Sequence, residues 1–403
     1  MTSEITSPEM SFRTWSALFI LAISTFTIVT TELAPVGMLT PIADSLNTSE
    51  SSIGMTVSLY AWGGALSALF ASVFLGNLPK KILLLMLTII LALSNILSAT
   101  IDSFEILLVS RVIGSVAHGA FWAMIGATTV AIVPIKYLGI ATSIVFGGVS
   151  AASVFGVPLS NYIGLHFGWR QAFWLMALLS VVAFFGIMFL VPKVTTKSTI
   201  GINALKNVLS SVILWKIYAA TLLAITAHFA AFTFIEPWLN SRPTLSKEFT
   251  PTILFIYGIA GLVGNFLTSI IIDKHLKTTV TLSALLIGIV LLVLGIKEEL
   301  LSRTDILIAI VLWGVAISGI FVGLQTWVLR LAADEAFPAS AVYVSFFNGA
   351  IGIGALVGAW MVSVLSLHTL FVTAGVVIAL SILIVSTIPS NNSISKKFTE
   401  KTV

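Results

Sequence analysis

The sequence lacks cysteine altogether and contains very little charge. Without cysteine, the chain can form no disulfide bond, no catalytic thiolate and no cysteine-ligated metal site. Charged residues make up 9% of its 403 residues, whereas soluble domains carry about 25%. So few charged side chains cannot cover the surface of a soluble protein of this length. Because 58% of the residues are also hydrophobic, the composition predicts an integral membrane protein.

Motifs for nucleotide, metal and nucleic-acid chemistry are also missing. The sequence has no Gly-x-x-x-x-Gly-Lys-Ser/Thr loop, so we expect no ATP-driven step. Histidines and carboxylates do not cluster at metal-ligand spacing, and we expect no metal or other cofactor. The net charge of +4 does not indicate nucleic-acid binding, because the basic residues collect in short segments between apolar runs, as in the cytoplasmic loops of membrane proteins.

Long apolar runs separated by short polar segments fill the sequence. A membrane-spanning helix needs about 20 mainly apolar residues, and the alternating pattern of a β-barrel is absent. The first run follows Arg13 and Trp15 without a small-residue cleavage site, so we interpret it as an uncleaved span. We predict an all-α membrane protein with twelve spans, near residues 15–38, 52–76, 82–101, 105–132, 138–163, 170–191, 213–239, 251–272, 279–296, 305–329, 338–364 and 368–389.

The distribution of lysine and arginine predicts the orientation. Placing the N-terminus in the cytoplasm leaves only a minority of the 20 basic residues outside, and an even number of spans puts both termini inside. That minority comprises Arg170, Arg242, Lys247, Lys297 and Arg303. The longest polar stretch between spans predicts a cytoplasmic linker at 192–212. It separates an N-terminal six-helix bundle at 1–191 from a C-terminal six-helix bundle at 213–403.

The two predicted halves resemble each other. Matching residues occur in the same order and at nearly the same separation along the chain. They are Glu32 with Glu236, each followed closely by a proline, Tyr60 with Tyr257, Gly64 with Gly261, Gly114 with Gly314, Gly119 with Gly319, Gly147 with Gly349, and Gly156 with Gly358. Each glycine match is weak alone, but the ordered series predicts a parallel six-plus-six repeat. In such repeats a solute binds between the halves near the midplane, and the halves rock around it.

Several short motifs point to one family. They are Thr30 to Gly37 (TTELAPVG), Tyr60-Ala61-Trp62, Ala117 to Trp122 (AHGAFW), Thr226-Ala227-His228 leading to Ile235-Glu236-Pro237, the fourth-span Arg111-x-x-Gly114, and the fifth-span Gly147-Gly148 through Gly156-Val157-Pro158. Over essentially its whole length the chain resembles the major facilitator superfamily. Within it, the chain looks most similar to the bacterial sugar efflux transporters of the drug:proton antiporter group. The resemblance implies export of arabinose-like sugars and galactoside analogues across the bacterial inner membrane in exchange for protons.

One loop departs from the pattern of the family. Between spans two and three the superfamily usually has an acidic residue in a loop rich in glycine and basic residues. This chain instead has Gly76-Asn77-Leu78-Pro79-Lys80-Lys81, which lacks the acid. We therefore expect Asp273 and Lys274, at the equivalent place in the second half, to carry more of the gating. Gly156 and Pro158 of the fifth-span motif are the other gating candidates.

Ionisable residues inside the predicted spans are the first functional candidates, since a charge in a bilayer costs at least a few kcal/mol. Glu32 and Arg111 lie at similar depth in spans one and four. An ion pair between them would keep Glu32 ionised, and breaking that pair would promote proton uptake. A static pair that joins two helices is the equal alternative. Glu236 is a third candidate for proton coupling, although near the outer surface it could simply reach lipid headgroups or cap a loop.

Polar and aromatic residues at mid-membrane depth are the candidates for substrate binding. His118 shares a helix face with Arg111, and His228 lies at similar depth on span seven. A neutral imidazole both donates and accepts hydrogen bonds, which suits a sugar hydroxyl, although each histidine could instead be packed and bonded to a neighbouring carbonyl. The further candidates for ring stacking or polar orientation are Tyr60, Trp62, Trp122, Tyr257, Gln325 and Asn348.

Proton-coupled sugar export is the leading hypothesis, and three alternatives stay open. A multidrug antiporter would share the architecture but would need a roomy apolar cavity. A polytopic membrane enzyme would need a cluster of nucleophile, base or metal ligands at one membrane face, and a sensor would need a soluble output domain. The sequence shows neither feature. The expected partners are therefore the lipid bilayer, protons and a small sugar-like solute, with no nucleic acid, and we expect a monomer.

Overall fold

The computed structural model describes residues 10–75, 78–193, 202–297, 300–332 and 336–389, and these ranges contain helices and turns but no strand. The helices are α1 (Phe12–Leu33), α2 (Leu39–Ser45), α3 (Glu50–Phe70), α4 (Lys80–Thr100), α5 (Phe104–Ile132), α6 (Leu138–Ala151), α7 (Val157–Phe167), α8 (Trp169–Leu190), α9 (Ile202–Leu209), α10 (Val212–Thr233), α11 (Ile235–Asn240), α12 (Thr250–Ile296), α13 (Arg303–Ala332), α14 (Ala336–Val364) and α15 (Leu367–Ser386). A π turn, Ala152–Gly156, joins α6 and α7 into one span. The predicted all-α class is confirmed.

Serine caps begin many of the long helices. The hydroxyls of Ser11, Ser49, Ser103, Ser211 and Ser366 each accept a hydrogen bond from a backbone N–H in the first turn of the helix that follows. Each cap satisfies one of the donors that a helix N-terminus leaves unpaired. Beyond the caps the sequences are apolar, and a helix satisfies its own backbone polar groups in a medium without water. Local sequence therefore determines where these helices begin and explains why each continues as a helix across a bilayer.

Helix α12 contains two membrane crossings. At 1.5 Å per residue its 47 residues would span roughly 70 Å, more than twice the bilayer core of about 30 Å. His275 has non-helical backbone angles, with φ −129° and ψ 37°. Before this kink Gly261 packs against Gly314 of α13, and after it Ser283 packs against Gly319. The two limbs therefore run back along α13 in opposite directions. The twelve predicted crossings are present, with a one-residue kink where the sequence analysis expected a loop between spans at 251–272 and 279–296.

Twelve crossings place the start of α1 and the end of α15 on one membrane side, called here the near side; the opposite side is the far side. The first half comprises α1 to α8, and the second half comprises α10 to α15. Helix α9, within the predicted linker, packs on α10 and α14 of the second half. Residues 194–201 of that linker lie outside the described residues.

The two halves repeat one packing arrangement. In the first half α3 packs along α5, where Gly114 lies against the ring of Tyr60. In the second half the first limb of α12 packs along α13, where Gly314 lies against the backbone carbonyl of Tyr257. These are the glycines and tyrosines that the sequence pairs across the halves. Small residues allow helices without a hydrophobic driving force between them to approach closely, and the predicted pseudo-symmetry of the bundles is confirmed.

Two glycines on α5 differ sharply in their surroundings and give a stability prediction. A β-carbon at Gly119 would collide with the carbonyl oxygen of Gly64 on α3, whereas one at Gly126, on the same helix face two turns later, would meet nothing within 4 Å. We expect Gly119→Ala to lower the free energy of unfolding by about 1–3 kcal/mol, the usual cost of overpacking. The matched control Gly126→Ala should leave stability unchanged or slightly raised. Thermal unfolding in detergent measures both, and equal effects of the two substitutions would contradict this packing.

The halves meet along a seam that is concentrated toward the far side. Helix α3 packs on α14, and α7 with its preceding π turn packs on the first limb of α12. Ser51 Oγ donates to the carbonyl of Ala359 at 2.7 Å, and the rings of Phe155 and Phe255 lie 5.6 Å apart. Among the described helices, α1 and α5 of the first half do not pack extensively on α10 and α13 of the second. The described contacts between the halves therefore run mainly through α3, α7, α12 and α14.

Candidate transport site

Arg111 is fully buried on α5 and binds the end of α1. Its Nη1 donates to the carbonyl of Thr31 at 2.8 Å, and its Nη2 donates to the carbonyl of Glu32 at 3.0 Å. Pro35 follows Thr31 by four positions and has no N–H, so the Thr31 carbonyl has no helical donor. A cation is also favourable at a helix C-terminus. The predicted ion pair between Glu32 and Arg111 is therefore wrong, because the guanidinium binds backbone carbonyls rather than the Glu32 carboxylate.

The carboxylate of Glu32 faces His118 instead. Its Oε2 lies 3.7 Å from Nε2 of His118, and both side chains are almost completely buried. The His118 ring makes an edge contact with Tyr60, at a centroid distance of 5.4 Å, and with Trp122 at 6.2 Å. Tyr60 also lies under the guanidinium of Arg111, 4.1 Å from the ring centroid. The structure thus brings five of the predicted site residues into one cluster, here called the polar cluster.

The polar cluster holds several buried atoms that lack a hydrogen-bond partner. They are Glu32 Oε1, Tyr60 OH and Arg111 Nε of the cluster, together with Thr30 Oγ1 and Asn95 Oδ1 beside it. Buried polar atoms in folded proteins nearly always have a partner, and ordered water or a ligand supplies it where the protein does not. Asn95 on α4 was missed by the sequence analysis, although an amide within an apolar span was a usable signal. Its Nδ2 donates to Thr31 Oγ1 at 3.2 Å.

His228, at the corresponding depth of the second half, lies in an aromatic cluster. Its Nδ1 accepts a hydrogen bond from Trp313 Nε1 at 3.1 Å. Its ring stacks on Phe232 at a centroid distance of 5.4 Å and makes an edge contact with Phe321 at 5.6 Å. Tyr257 also stacks on Phe232, at 5.0 Å. Trp313 was missed by the sequence analysis, which had no means of pairing it with His228. The two halves share one helix arrangement, but the first half carries polar groups where the second half carries aromatic rings.

The remaining predicted binding residues lie apart from both clusters. Trp62 is part of the seam, where its Nε1 donates to the carbonyl of Gly349 at 3.2 Å. Gln325 Nε2 donates to Ser340 Oγ at 2.9 Å, which links α13 to α14. Asn348 Nδ2 donates to the Val344 carbonyl on its own helix at 2.9 Å. Their substrate roles stay predictions.

The gating candidates lie in two separate parts of the molecule. Asp273 forms an ion pair with Arg330 of α13, and Lys274 beside it is exposed. This pair joins two helices of the second half at the near side and does not reach the first half. Gly156 allows α7 to approach α1, because a β-carbon there would lie 2.8 Å from Thr30 Oγ1. Pro158 lies in the first turn of α7, where proline is tolerated. Gly76 and Asn77 of the unusual loop lie outside the described residues.

Glu236 is buried at the far-side seam. Its Oε2 accepts hydrogen bonds from the backbone N–H of Thr40 at 3.1 Å and from the Thr40 hydroxyl at 2.9 Å. Asn240 Nδ2 donates to its Oε1. With only 1% of its surface exposed, it does not reach lipid headgroups, and that alternative is wrong. The short helix α11, which carries Glu236, lies beyond the seventh span, which ends at Thr233. Burial raises the pKa of the Glu236 carboxyl to about 7.

Comparison with known proteins places this architecture. The sequence matches the family model of the Major Facilitator Superfamily over residues 17–336 and 243–402. The fold is similar to the crystal structure of the human organic anion transporter MFSD10 (TETRAN), with a TM-score of 0.68 and 15% sequence identity. That similarity covers 94% of this chain and 100% of the other chain, and at this identity it concerns the fold alone. Since the family model spans most of the sequence, the chain belongs to the major facilitator superfamily of membrane transporters.

Proposed function

We propose that this transporter exports sugars or sugar-like neutral solutes from the bacterial cytoplasm in exchange for protons. In this proposal the near side faces the cytoplasm and the membrane is the bacterial inner membrane, as the biased distribution of lysine and arginine favours. The bundles at 1–191 and 213–403 rock about the seam, and the protein acts as a monomer without a cofactor or enzymatic activity.

The observation that carries the proposal is the buried carboxylate–imidazole contact between Glu32 and His118, 3.7 Å apart. The two groups lie on α1 and α5, and Glu32 Oε1 beside the contact has no hydrogen-bond partner. A carboxylate and an imidazole can exchange a proton, whereas the buried Arg111 stays charged. An intramembrane ionisable pair of this kind marks a proton or substrate pathway more often than a structural contact.

The contrast between the two halves supports a sugar as the solute. A sugar ring carries hydroxyls at its rim and C–H groups on its faces. The polar cluster offers hydrogen-bond donors and acceptors, and the aromatic cluster around Trp313 and Tyr257 offers ring faces. A solute held between α1 and α5 on one side and α10 and α13 on the other would meet both surfaces. Gln325 and Asn348 are secondary candidates, since each already has a protein partner.

Multidrug export is the second candidate, and the aromatic cluster itself favours it. Five aromatic rings lie near His228, from Phe229, Phe232, Tyr257, Trp313 and Phe321. Such a surface also suits flat apolar compounds. The similarity in fold to an organic anion transporter raises anionic solutes as well. Against anions, the guanidinium of Arg111 is already held by two backbone carbonyls and is fully buried.

Flux measurements in sealed vesicles test the proposal. We expect an imposed pH gradient to drive labelled arabinose or a galactoside against its concentration gradient, at least about tenfold faster than a cationic dye or an organic anion, a difference of about 1.4 kcal/mol. Protein-free vesicles supply the control. Gradient-driven movement of the dye or the anion without any movement of sugar would overturn the sugar assignment. Sugar flux that ignores the pH gradient would overturn the antiport assignment.

A further inference from the structure

The far-side seam contains a hydroxyl that lies between two carboxylates. Thr40 Oγ1 is 2.7 Å from Oε1 of Glu50 and 2.9 Å from Oε2 of Glu236. Thr40 and Glu50 belong to the first half, on α2 and at the start of α3, whereas Glu236 belongs to α11 of the second half. The three side chains therefore join the two halves through a chain of oxygen atoms.

The three linked side chains have too few hydrogens to form all their hydrogen bonds if both carboxyl groups are ionised. Thr250 donates to Oδ1 of Asn240 at 2.9 Å, which fixes the amide so that its Nδ2 donates to Oε1 of Glu236. Glu236 Oε2 already accepts the Thr40 backbone N–H. The Thr40 hydroxyl carries one hydrogen and can donate it to only one of the two carboxylates. The second contact of Thr40 Oγ1 is also shorter than 3 Å. It therefore requires that the other carboxyl group be protonated, so that its O–H donates to Thr40 Oγ1.

Among the described residues, no cation offsets the burial of the Glu236 carboxyl. The burial of its carboxyl and the nearby Glu50 both raise its pKa, and the hydrogen bonds from Thr40 and Asn240 lower it by less. The other charged groups on the elements packed around α11 are exposed or stack on aromatic rings. Asp44 of α2 is exposed, Arg242 stacks on Trp238 at 4.9 Å, Lys247 and Glu248 are exposed, and Arg303 stacks on Phe249 at 3.6 Å.

We propose that Glu236 and Glu50, bridged by Thr40, form a proton-binding site whose single shared proton holds the far-side seam closed. The proposal rests on alternating access between the two halves. In the closed state the buried acid binds the proton tightly, whereas opening the seam separates Thr40 from Glu236 and exposes both carboxylates to water. Protonation therefore favours closure below about pH 7, and this advantage is lost as the pH rises through that value. Each pH unit between the closed-state and open-state pKa values changes the ratio of closed to open molecules tenfold.

The position of the site gives the proton a direction. Glu50 is partly exposed at the far end of the seam, while Glu236 behind it is buried. A proton from the far side thus reaches Glu50 first and passes through the Thr40 hydroxyl. Such a proton would close the far side after a solute has left.

Distances between spin labels across the seam test the proposal in the whole protein. The natural absence of cysteine allows clean labelling of the double variant Leu165→Cys and Thr244→Cys, at exposed positions on the far side of the first and second halves. Double electron–electron resonance would measure the distance between the two labels in lipid nanodiscs without solute, from about pH 5.5 to about pH 8.5. We expect the short-distance population to predominate at low pH and to decrease as the pH rises through about 7.

Neutral variants separate the shared proton from other causes. In the doubly labelled protein, Glu236→Gln and Glu50→Gln each remove one negative charge, so we expect the short distance to persist across the whole pH range. Glu248→Gln, an exposed carboxyl nearby, is the matched control and should behave like the parent. A parent distance that ignores pH, or a Glu236→Gln distance that shifts as the parent does, would overturn the proposal. Since no solute is present, failure of the sugar assignment would leave this result unaffected, and elution as a single species confirms folding of each variant.

Discussion

Glu32→Gln is expected to reduce proton-driven transport by about two orders of magnitude, the loss typical when a proton-transferring side chain is removed. Glutamine keeps the size and polarity of Glu32 but cannot bind or release a proton at physiological pH. The His118 imidazole, 3.7 Å from the carboxylate, would lose its proton-exchange partner. Vesicles with an imposed pH gradient measure the driven flux. Counterflow without a gradient measures solute exchange, which should largely persist because glutamine preserves the volume of the side chain.

A matched carboxylate on a neighbouring helix controls for charge removal. Glu105 lies exposed in the first turn of α5, the helix that carries His118. Glu105→Gln should therefore leave both driven flux and counterflow near the parent values. If Glu32→Gln kept full gradient-driven flux, the proton role of Glu32 would be refuted. Loss of counterflow together with driven flux would assign Glu32 to solute binding rather than to proton transfer.

Arg111→Met is expected to destabilise the protein by about 2–6 kcal/mol, because two buried carbonyls would each lose a donor at a cost of about 1–3 kcal/mol. Methionine fills part of the space but donates no hydrogen bond. The carbonyls of Thr31 and Glu32 would then lose the donors that now lie 2.8 and 3.0 Å away. Because Pro35 cannot supply an N–H to Thr31, the end of α1 would lose its cap. Thermal unfolding in detergent, together with the folded yield, measures the effect.

An exposed arginine provides the comparison for Arg111. Arg330 pairs with Asp273 at the near side, and both side chains reach solvent. Exposed pairs contribute little, so Arg330→Met should change stability by no more than about 1 kcal/mol. An equal loss in the two variants would show that Arg111 is not a specific cap of α1. Arg111→Lys keeps the charge but not the two-pronged geometry, and we expect it to recover only part of the stability.

The difference between the predicted and observed partners of Arg111 shows where sequence reasoning ends. The depth of Glu32 and Arg111 along their helices was readable from the chain, and the two residues do lie together. The sequence did not reveal which atoms would meet. The carbonyl left without a donor by Pro35 is a local sequence feature, but its pairing with a guanidinium on α5 depends on how the two helices are rotated and packed.

The same distinction applies to Glu236. Its place next to Pro237 near the end of a span was clear from the sequence, as was its match with Glu32 in the first half. Its contact with Thr40 joins residues on opposite halves, and it forms only because the bundles close on the far side. Its position in the sequence is therefore compatible with headgroup contact, which burial at the seam excludes. Asn95 and Trp313 were missed because a lone polar or aromatic residue within a span carries no sign of its partner.

The sequence by itself determined the helical class, the twelve crossings and the relation between the halves. A bilayer requires each span to satisfy its own backbone, so composition and the spacing of apolar runs are sufficient for these features. Only the tertiary structure decided the partners of Glu32, Arg111, His228 and Glu236 and the kink at His275. These features depend on the contacts of side chains from different helices, and such contacts are set by helix rotation and close packing, which no short stretch of sequence specifies.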